Sequence, residues 1–205
     1  MLDKWSLKII APPLQWVAKK LHRAGVSANQ VTITGFLVGL SVIGLLMWQQ
    51  YLLAFAVIIF NRICDGVDGA LAREAKATDA GAYLDIVLDF IFYAAVVFGF
   101  ALANPEQNSL AASLLLFSFM GTGSSFLAFA IMAERRSIQS MKYPSKGFYY
   151  LGGLTEGTET IVMLLVCCLF EQYFVYIALI FSAMCWLTTI TRVVGGYYSL
   201  QVMQK

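Results

Sequence analysis

The stretch "DGVDGALAREAKATDAGAYLDIVLD", residues 65–89, decides how the whole chain is read. It follows "YLLAFAVIIFNRIC", residues 51–64, which has the composition of a membrane interior, yet it places Asp65, Asp68, Asp85 and Asp89 at helical intervals. On a helix over residues 51–73, Asp65, Asp68, Gly69, Ala72 and Arg73 recur at three- and four-residue steps and form one stripe. On a second helix over residues 81–104, Gly81, Asp85 and Asp89 form another. The short "EAKATDA" connection lets the stripes face each other, with Asp65 and Asp89 each about 12 Å inward from it, given the helical rise per residue.

A carboxylate near the centre of a membrane helix costs roughly 2.5–3.5 kcal/mol to insert, so four of them ask for about 10 kcal/mol before compensation. Arg62 and Arg73 can pair with some of them and hold helices together, but two guanidiniums do not neutralise four carboxylates. The surplus charge calls for cations. Oxygen donors without histidine or thiolate favour a hard divalent ion, Mg²⁺ or Mn²⁺, and four carboxylates suffice for two ions sharing ligands. Gly69 and Ala72 remove bulk beside the acids, leaving a groove for a flat base or a phosphate. Arg73 stands at its outer end as a fixed charge suited to phosphate oxygens. Together these residues point to phosphoryl chemistry.

The 205 residues are 60% hydrophobic and only 13% charged, too apolar for one soluble core. The expectation is an all-α, polytopic membrane protein. Six apolar runs serve as transmembrane helices, over residues 30–50, 51–73, 81–104, 108–133, 149–170 and 172–199. The four cysteines fall inside these runs, without the spacing of a zinc site or a disulfide framework, and read as small core residues. Lys4, Lys8, Lys19, Lys20, Arg23, Lys76, Arg135, Arg136, Lys142, Lys146 and Lys205 all fall on one side, while "WQQYL", "ANPEQNS" and "FEQYF" carry no basic residue. The positive-inside rule then places both termini in the cytoplasm.

Residues 1–24 mix tryptophans and aliphatic residues with a basic cluster, are interrupted by Pro12 and Pro13, and read as an amphipathic segment on the membrane surface. Residues 25–205 form the six-helix membrane domain. Ser27 or Asn29 can cap the first span. Gly35 with Gly39, and Gly153 with Gly157, have the spacing that allows close helix approach in lipid. No repeat and no soluble phosphate-binding glycine loop is present, and the charge pattern does not call for nucleic acid.

The quoted stretch resembles the signature of the CDP-alcohol phosphatidyltransferase family at every defining position: Asp65, Asp68, Gly69, Ala72, Arg73, Gly81, Asp85 and Asp89. The resemblance extends to "ANQVT" at the start of the first span, with Ala28 where the family has proline, and is strongest toward small bacterial inner-membrane members. It implies transfer of a phosphatidyl group from CDP-diacylglycerol to a small polar alcohol with release of CMP, in a bacterial inner membrane. It also implies a homodimer. Asp65, Asp68, Asp85 and Asp89 would ligate Mg²⁺ or Mn²⁺, with Asp89 also the proton acceptor. Gly69, Ala72, Arg73, Thr78 and Gly81 would meet the CDP-lipid, with Asn29 and Thr32 near the nucleotide.

Acceptor recognition is expected in the second half. Arg135, Arg136, Lys142 and Lys146 are candidates for a phosphorylated alcohol such as glycerol 3-phosphate, or are topology determinants. Glu156, Glu159 and Arg192 are ionisable groups inside apolar runs, suited to an ion pair or to the acceptor pocket. Two other functions compete. A divalent-cation transporter would need a route to the far side, which acids gathered near one face and an arginine in their stripe oppose. A non-catalytic scaffold would need none of this charge.

Overall fold

A computed structural model describes residues 3–75, 77–135 and 153–202, and among these it is all-helical, without strands. The helices are α1 (Asp3–Arg23), α2 (Ala28–Gly39), α3 (Ser41–Met47), α4 (Tyr51–Ala75), α5 (Asp79–Ala103), α6 (Pro105–Arg135), α7 (Gly157–Leu169) and α8 (Phe174–Val202). Lys76, Arg136, Lys142, Lys146 and Lys205 lie outside the described residues.

Local chemistry sets the boundaries. Gly25, at φ +80°, turns the chain out of α1, and Val26 N–H closes on the Leu21 carbonyl at 3.0 Å. Ser27, not Asn29, caps α2: its Oγ accepts the Gln30 N–H at 3.3 Å while Gln30 Oε1 accepts the Ser27 N–H at 2.9 Å. Thr78 caps α5 by accepting the Gly81 N–H at 3.1 Å. Pro105 opens α6, where its missing N–H has no helical partner to lose.

Three expectations change. Pro12 and Pro13 do not end the first segment; α1 runs through both. Two amide donors are lost there, but the following turns are held against α4, where Ala18 is fully buried with Val67, Ala70 and Leu71 beneath Leu14, Val17 and Leu21. The first span divides at Leu40, although Leu40 N–H still reaches the Phe36 carbonyl at 2.9 Å, so α2 and α3 continue nearly as one rod. The fifth span begins at Gly157 rather than near residue 149. Before it, Thr188 Oγ1 on α8 accepts the N–H groups of Leu154 and Thr155, each at 3.1 Å, so the backbone there is satisfied without a helix.

Four helical stretches are long and apolar enough to cross a membrane: Ala28–Met47, Asp79–Ala103, Pro105–Arg135 and Glu171–Gln201. Their outer faces carry large apolar side chains such as Leu110, 77% exposed, and Met120, 70% exposed, as a lipid-facing surface requires. The protein is a multi-pass membrane protein. Helix α4 is as long as α5 but carries Arg62 at its middle and Asp65, Asp68, Arg73 and Glu74 in its second half, and α7 has only 13 residues.

Helices α2 and α3 pack on α4 and α5, α5 packs on α6, α6 on α8, and α7 on α4. Helices α2 and α4 approach closely. A Cβ on Gly35 would lie 2.5 Å from Cys64 Cβ, and one on Gly39 would lie 2.9 Å from Asn61 Nδ2 and 3.0 Å from Phe92. The other glycine pair is split in role: a Cβ at Gly153 would strike Thr188, whereas Gly157 has open space. Cys167, Cys168 and Cys185 are buried in the main core, as small residues should be. That core gathers Leu46, Ile58, Val96, Phe100, Leu164 and Phe174 toward the end of α5 remote from its acids, with the Phe100 and Phe174 rings stacked 4.6 Å apart.

Because Cys64 Cβ is fixed to the backbone, Gly35→Val should destabilise the bundle by about 1–3 kcal/mol through overpacking. Thermal unfolding in detergent is expected to show a clear loss for Gly35→Val, partial recovery for Gly35→Ala combined with Cys64→Gly, and little change for Gly44→Ala, where a Cβ meets nothing within 4 Å.

Candidate active site

Helices α4 and α5 bring three acids of the signature to one point. Asp65, Asp68 and Asp85 each offer a carboxylate oxygen, and these oxygens lie within 4.8 Å of one another. Ligands on opposite sides of a hard divalent ion stand about 4–5 Å apart, so the spacing and the all-oxygen donor set fit Mg²⁺ or Mn²⁺. Asp68, only 5% exposed, is oriented by α2: Thr32 Oγ1 donates to its Oδ2 at 2.5 Å. The carboxylates line a narrow cleft with Thr32, Gly35 and Asn61, with room for a water- or ion-sized body.

Asp89 lines the same cleft but is held differently. Arg62 on α4 donates Nη2 to Asp89 Oδ1 at 2.6 Å and Nη1 to Oδ2 at 3.2 Å, a two-armed ion pair. The Tyr93 hydroxyl donates to Asp89 Oδ2 at 3.2 Å, and Arg62 Nη1 reaches the Tyr93 oxygen at 3.0 Å. Arg62 is itself fixed. Its Nε and Nη2 bond to Asn61 Oδ1, Asn61 Nδ2 donates to the Gly35 carbonyl at 3.1 Å, and the guanidinium lies 5.2 Å from the Phe92 ring and 5.1 Å from the Tyr93 ring.

Arg73 is exposed near the end of α4 and folds back over Gly69, where an added Cβ would lie 3.6 Å from its Nη1. That is an ordinary van der Waals distance, so the guanidinium lies against the Gly69 surface, and Ala72 beside it is half-buried. Asn29, Thr78 and Gly81 meet at the start of α5: a Cβ on Gly81 would lie 3.0 Å from Asn29 Oδ1 and 3.1 Å from Thr78 Oγ1. With Ser27 capping α2, Asn29 has no capping duty and turns toward this junction.

On the other side of α5 lies a cavity of about 340 Å³ between α5, α6, α7 and α8. Asp85 and Asp89 line it too, together with Tyr93, Phe126, Glu156 and Arg192. Arg192, 7% exposed, donates to the Thr122 carbonyl at 3.3 Å and lies 5.5 Å from the Phe126 ring. Glu156 and Glu159 form a capping box at the start of α7, with Glu159 Oε2 accepting the Glu156 N–H at 3.2 Å. Of the other acceptor candidates, Arg135 sits exposed at the end of α6, away from the residues that line this cavity, while Arg136, Lys142 and Lys146 lie outside the described residues.

Sequence reasoning missed Tyr93, Asn61 and Thr188. Tyr93 was within reach, because it extends the four-residue stripe of Gly81, Asp85 and Asp89 by one step. Asn61 adjoins Arg62 but has no period of its own, and Thr188 is one hydroxyl among several on an apolar helix.

Several known proteins resemble this chain. Residues 26–193 match the family profile described as CDP-alcohol phosphatidyltransferase. Inner membrane protein YnjF of Escherichia coli is 51% identical over 205 residues, all of both chains. The archaetidylinositol phosphate synthase of Pyrococcus horikoshii is 28% identical over 194 residues, covering 94% of this chain and 95% of its own. The crystal structure of Mycobacterium tuberculosis phosphatidylinositol phosphate synthase with CDP-DAG bound superposes with a TM-score of 0.73 at 21% identity, covering 90% of this chain and 93% of that one. The same synthase in complex with manganese and citrate gives a TM-score of 0.73 at 20% identity, over 90% and 88% of the two chains. The chain, a multi-pass membrane enzyme, therefore belongs to the CDP-alcohol phosphatidyltransferase family.

Proposed function

We propose that this enzyme transfers the phosphatidyl group of CDP-diacylglycerol to a small polar alcohol and releases CMP. The observation that carries the reading is the position of Asp85 and Asp89, which line both the carboxylate cleft and the 340 Å³ cavity beyond it. Two substrates can thus approach one pair of acids from opposite sides of α5. The family membership and the CDP-DAG-bound relative support the donor. The manganese-bound relative supports Mg²⁺ or Mn²⁺ on Asp65, Asp68 and Asp85.

In this mechanism Arg73 and the small residues Gly69 and Ala72 receive the diphosphate and the nucleotide at the mouth of α4, with Asn29, Thr32, Thr78 and Gly81 around it. A bound divalent ion supplies positive charge against the diphosphate and the departing phosphate. Asp89 accepts the hydroxyl proton as the alcohol oxygen bonds to the lipid-bearing phosphorus and the bond from that phosphorus to the CMP oxygen breaks. The Arg62 and Tyr93 contacts leave lone pairs on Asp89 for that proton. Four acids would allow a second ion, which Asp89 would help to hold.

The alcohol is assigned to the α5–α8 cavity, and Arg192 there suits a phosphorylated acceptor such as glycerol 3-phosphate. The relative named for synthesis of an inositol phosphate lipid supports the same class. The membrane arrangement proposed is six spans, one each from the α2–α3 rod, α4, α5, α6, α7 and α8, within residues 25–205, both termini cytoplasmic, working as a homodimer in a bacterial inner membrane. Residues 1–24 are assigned to the membrane surface, which the exposed Trp16 with Lys20 3.6 Å above its ring supports.

The direct test is CMP release from CDP-diacylglycerol by purified protein with Mg²⁺ or Mn²⁺ and a panel of free and phosphorylated alcohols, with the lipid product identified by mass. Absence of CMP release with every alcohol would sink the reading. Asp89→Asn should lower turnover by about 10² or more while CDP-lipid binding persists, since the amide keeps the shape but does not take the proton. Single-turnover kinetics beside equilibrium CDP binding checks this, and near-normal turnover removes Asp89 as base. Arg73→Lys is expected to weaken nucleotide binding about tenfold, because an ammonium does not reproduce the planar fork of a guanidinium. Calorimetric titration with CDP reads the change directly, and unchanged affinity would assign Arg73 to the fold.

A further inference from the structure

Helix α1 has two opposed faces. Leu14, Val17, Ala18 and Leu21, at three- and four-residue steps, are turned onto α4, where Ala18 is fully buried with Val67, Ala70 and Leu71. The contact is close: a Cβ on Gly66 would lie 2.6 Å from Leu14 Cδ1. Trp16, Lys19, Lys20 and Arg23 repeat the same spacing about half a turn round the helix, and all four are exposed. Trp16 is 61% exposed, with Lys20 Nζ 3.6 Å from the centre of its ring. No aspartate or glutamate occurs between Asp3 and Asp65, and among the described residues no carboxylate pairs with Lys19, Lys20 or Arg23.

The position of this face narrows its partner. Arg23 stands just before Ala28, where α2 opens a stretch long and apolar enough to cross a membrane, so the face lies where a leaflet meets water. A topology signal needs basic residues near the end of a span, but not gathered on one side of a helix. A soluble polyanion would match the charge and offer nothing to an exposed indole. An anionic leaflet matches both, since its phosphate oxygens meet the cations while the indole enters the interfacial layer.

We propose that the face of α1 formed by Trp16, Lys19, Lys20 and Arg23 is a docking surface for anionic lipid headgroups. The inference rests on the proposed function only in placing residues 1–24 at the membrane surface. Lipid held on this face covers the side of α1 opposite α4 and so keeps the helix seated on the bundle.

The test uses the full-length chain in vesicles of phosphatidylcholine and phosphatidylglycerol, with Trp5→Phe, Trp48→Phe and Trp186→Phe leaving Trp16 the single indole. Each lipid is supplied in turn in brominated form, and quenching of Trp16 fluorescence reads which lipid lies against it. Phosphatidylglycerol is expected to be preferred by about fivefold or more at low salt, the selectivity that one basic residue near a charged leaflet supplies. Screening in about 0.5 M NaCl should bring the preference close to parity. Lys19→Gln, Lys20→Gln and Arg23→Gln together should abolish it, whereas Lys19→Arg with Lys20→Arg should keep it. If the single-tryptophan chain does not fold, spin-labelled phosphatidylglycerol and phosphatidylcholine give the same comparison on the unmodified chain and its triple glutamine variant, through the immobilised fraction of each label. Equal contact with both lipids at low salt, or a preference that survives the triple substitution, would overturn the docking surface while leaving α1 at the membrane. No quenching of Trp16 by either lipid would overturn both placements, and the proposed transfer reaction would stand in every case.

Discussion

The ion pair between Arg62 on α4 and Asp89 on α5, 2.6 Å at its shorter arm, is the interaction around which the site is arranged. Removing either partner would leave an uncompensated charge in a half-buried place, a change typically worth about 3–5 kcal/mol for fully buried pairs. The pair draws two helices together at the level of the acids and fixes which face of α5 points toward α4. With that rotation set, Asp85, one turn earlier, points at Asp65 and Asp68. A bundle in lipid lacks the hydrophobic drive that orients helices in water, so polar contacts of this kind and close packing of small residues decide rotation and register.

The helical class and the signature hairpin were legible in the sequence because they depend on periodicity, which a linear string displays. The stripe Asp65, Asp68, Gly69, Ala72 and Arg73 required only that residues 51–75 be helical, and they are. Less legible were features that depend on what meets across helices. Gly35 and Gly39 announced a close approach, but not that Asn61 would be caught beneath Gly39 and bonded to the Gly35 carbonyl. The late start of α7 was hidden for a similar reason. The apolar run into residue 157 reads as more span until Thr188, 33 residues away from Thr155, takes up two amide protons. Pro12 and Pro13 show the converse, a local breaking signal overridden by burial of α1 on α4.

Helix α5 is the shared wall between two differently built compartments. The cleft toward α2 and α4 is narrow and acidic, shaped by glycine contacts and by Thr32 on Asp68. The cavity toward α6, α7 and α8 is wider, with Phe90, Tyr93, Phe119 and Phe126 on its wall and Arg192 and Glu156 among its polar groups. A transferase joining a lipid-borne diphosphate to a polar alcohol needs this asymmetry, because the two substrates differ in charge, size and route of entry. Proximity contributes to rate only when both reach the same atoms in a fixed geometry, and Asp85 and Asp89 are the groups that border both spaces.

That fixed geometry is secured from the far end of the bundle. Beyond Asp89 along α5, Phe92, Val96 and Phe100 are fully buried, and the Phe100 ring stacks on Phe174 at the start of α8. The buried cluster there is apolar, and the stacked Phe100 and Phe174 rings tie α5 to α8. The 340 Å³ cavity lies between their other halves, and the hydrogen bonds from Leu154 and Thr155 to Thr188 join the α7 entrance to α8 at its edge. A helix anchored firmly at one end and pinned by specific polar contacts at the other keeps its acids in register while leaving space beside them. The bundle thus places its apolar packing and its chemistry in separate halves, which is how a thin and largely lipid-exposed structure can hold carboxylates, guanidiniums and an open cavity together.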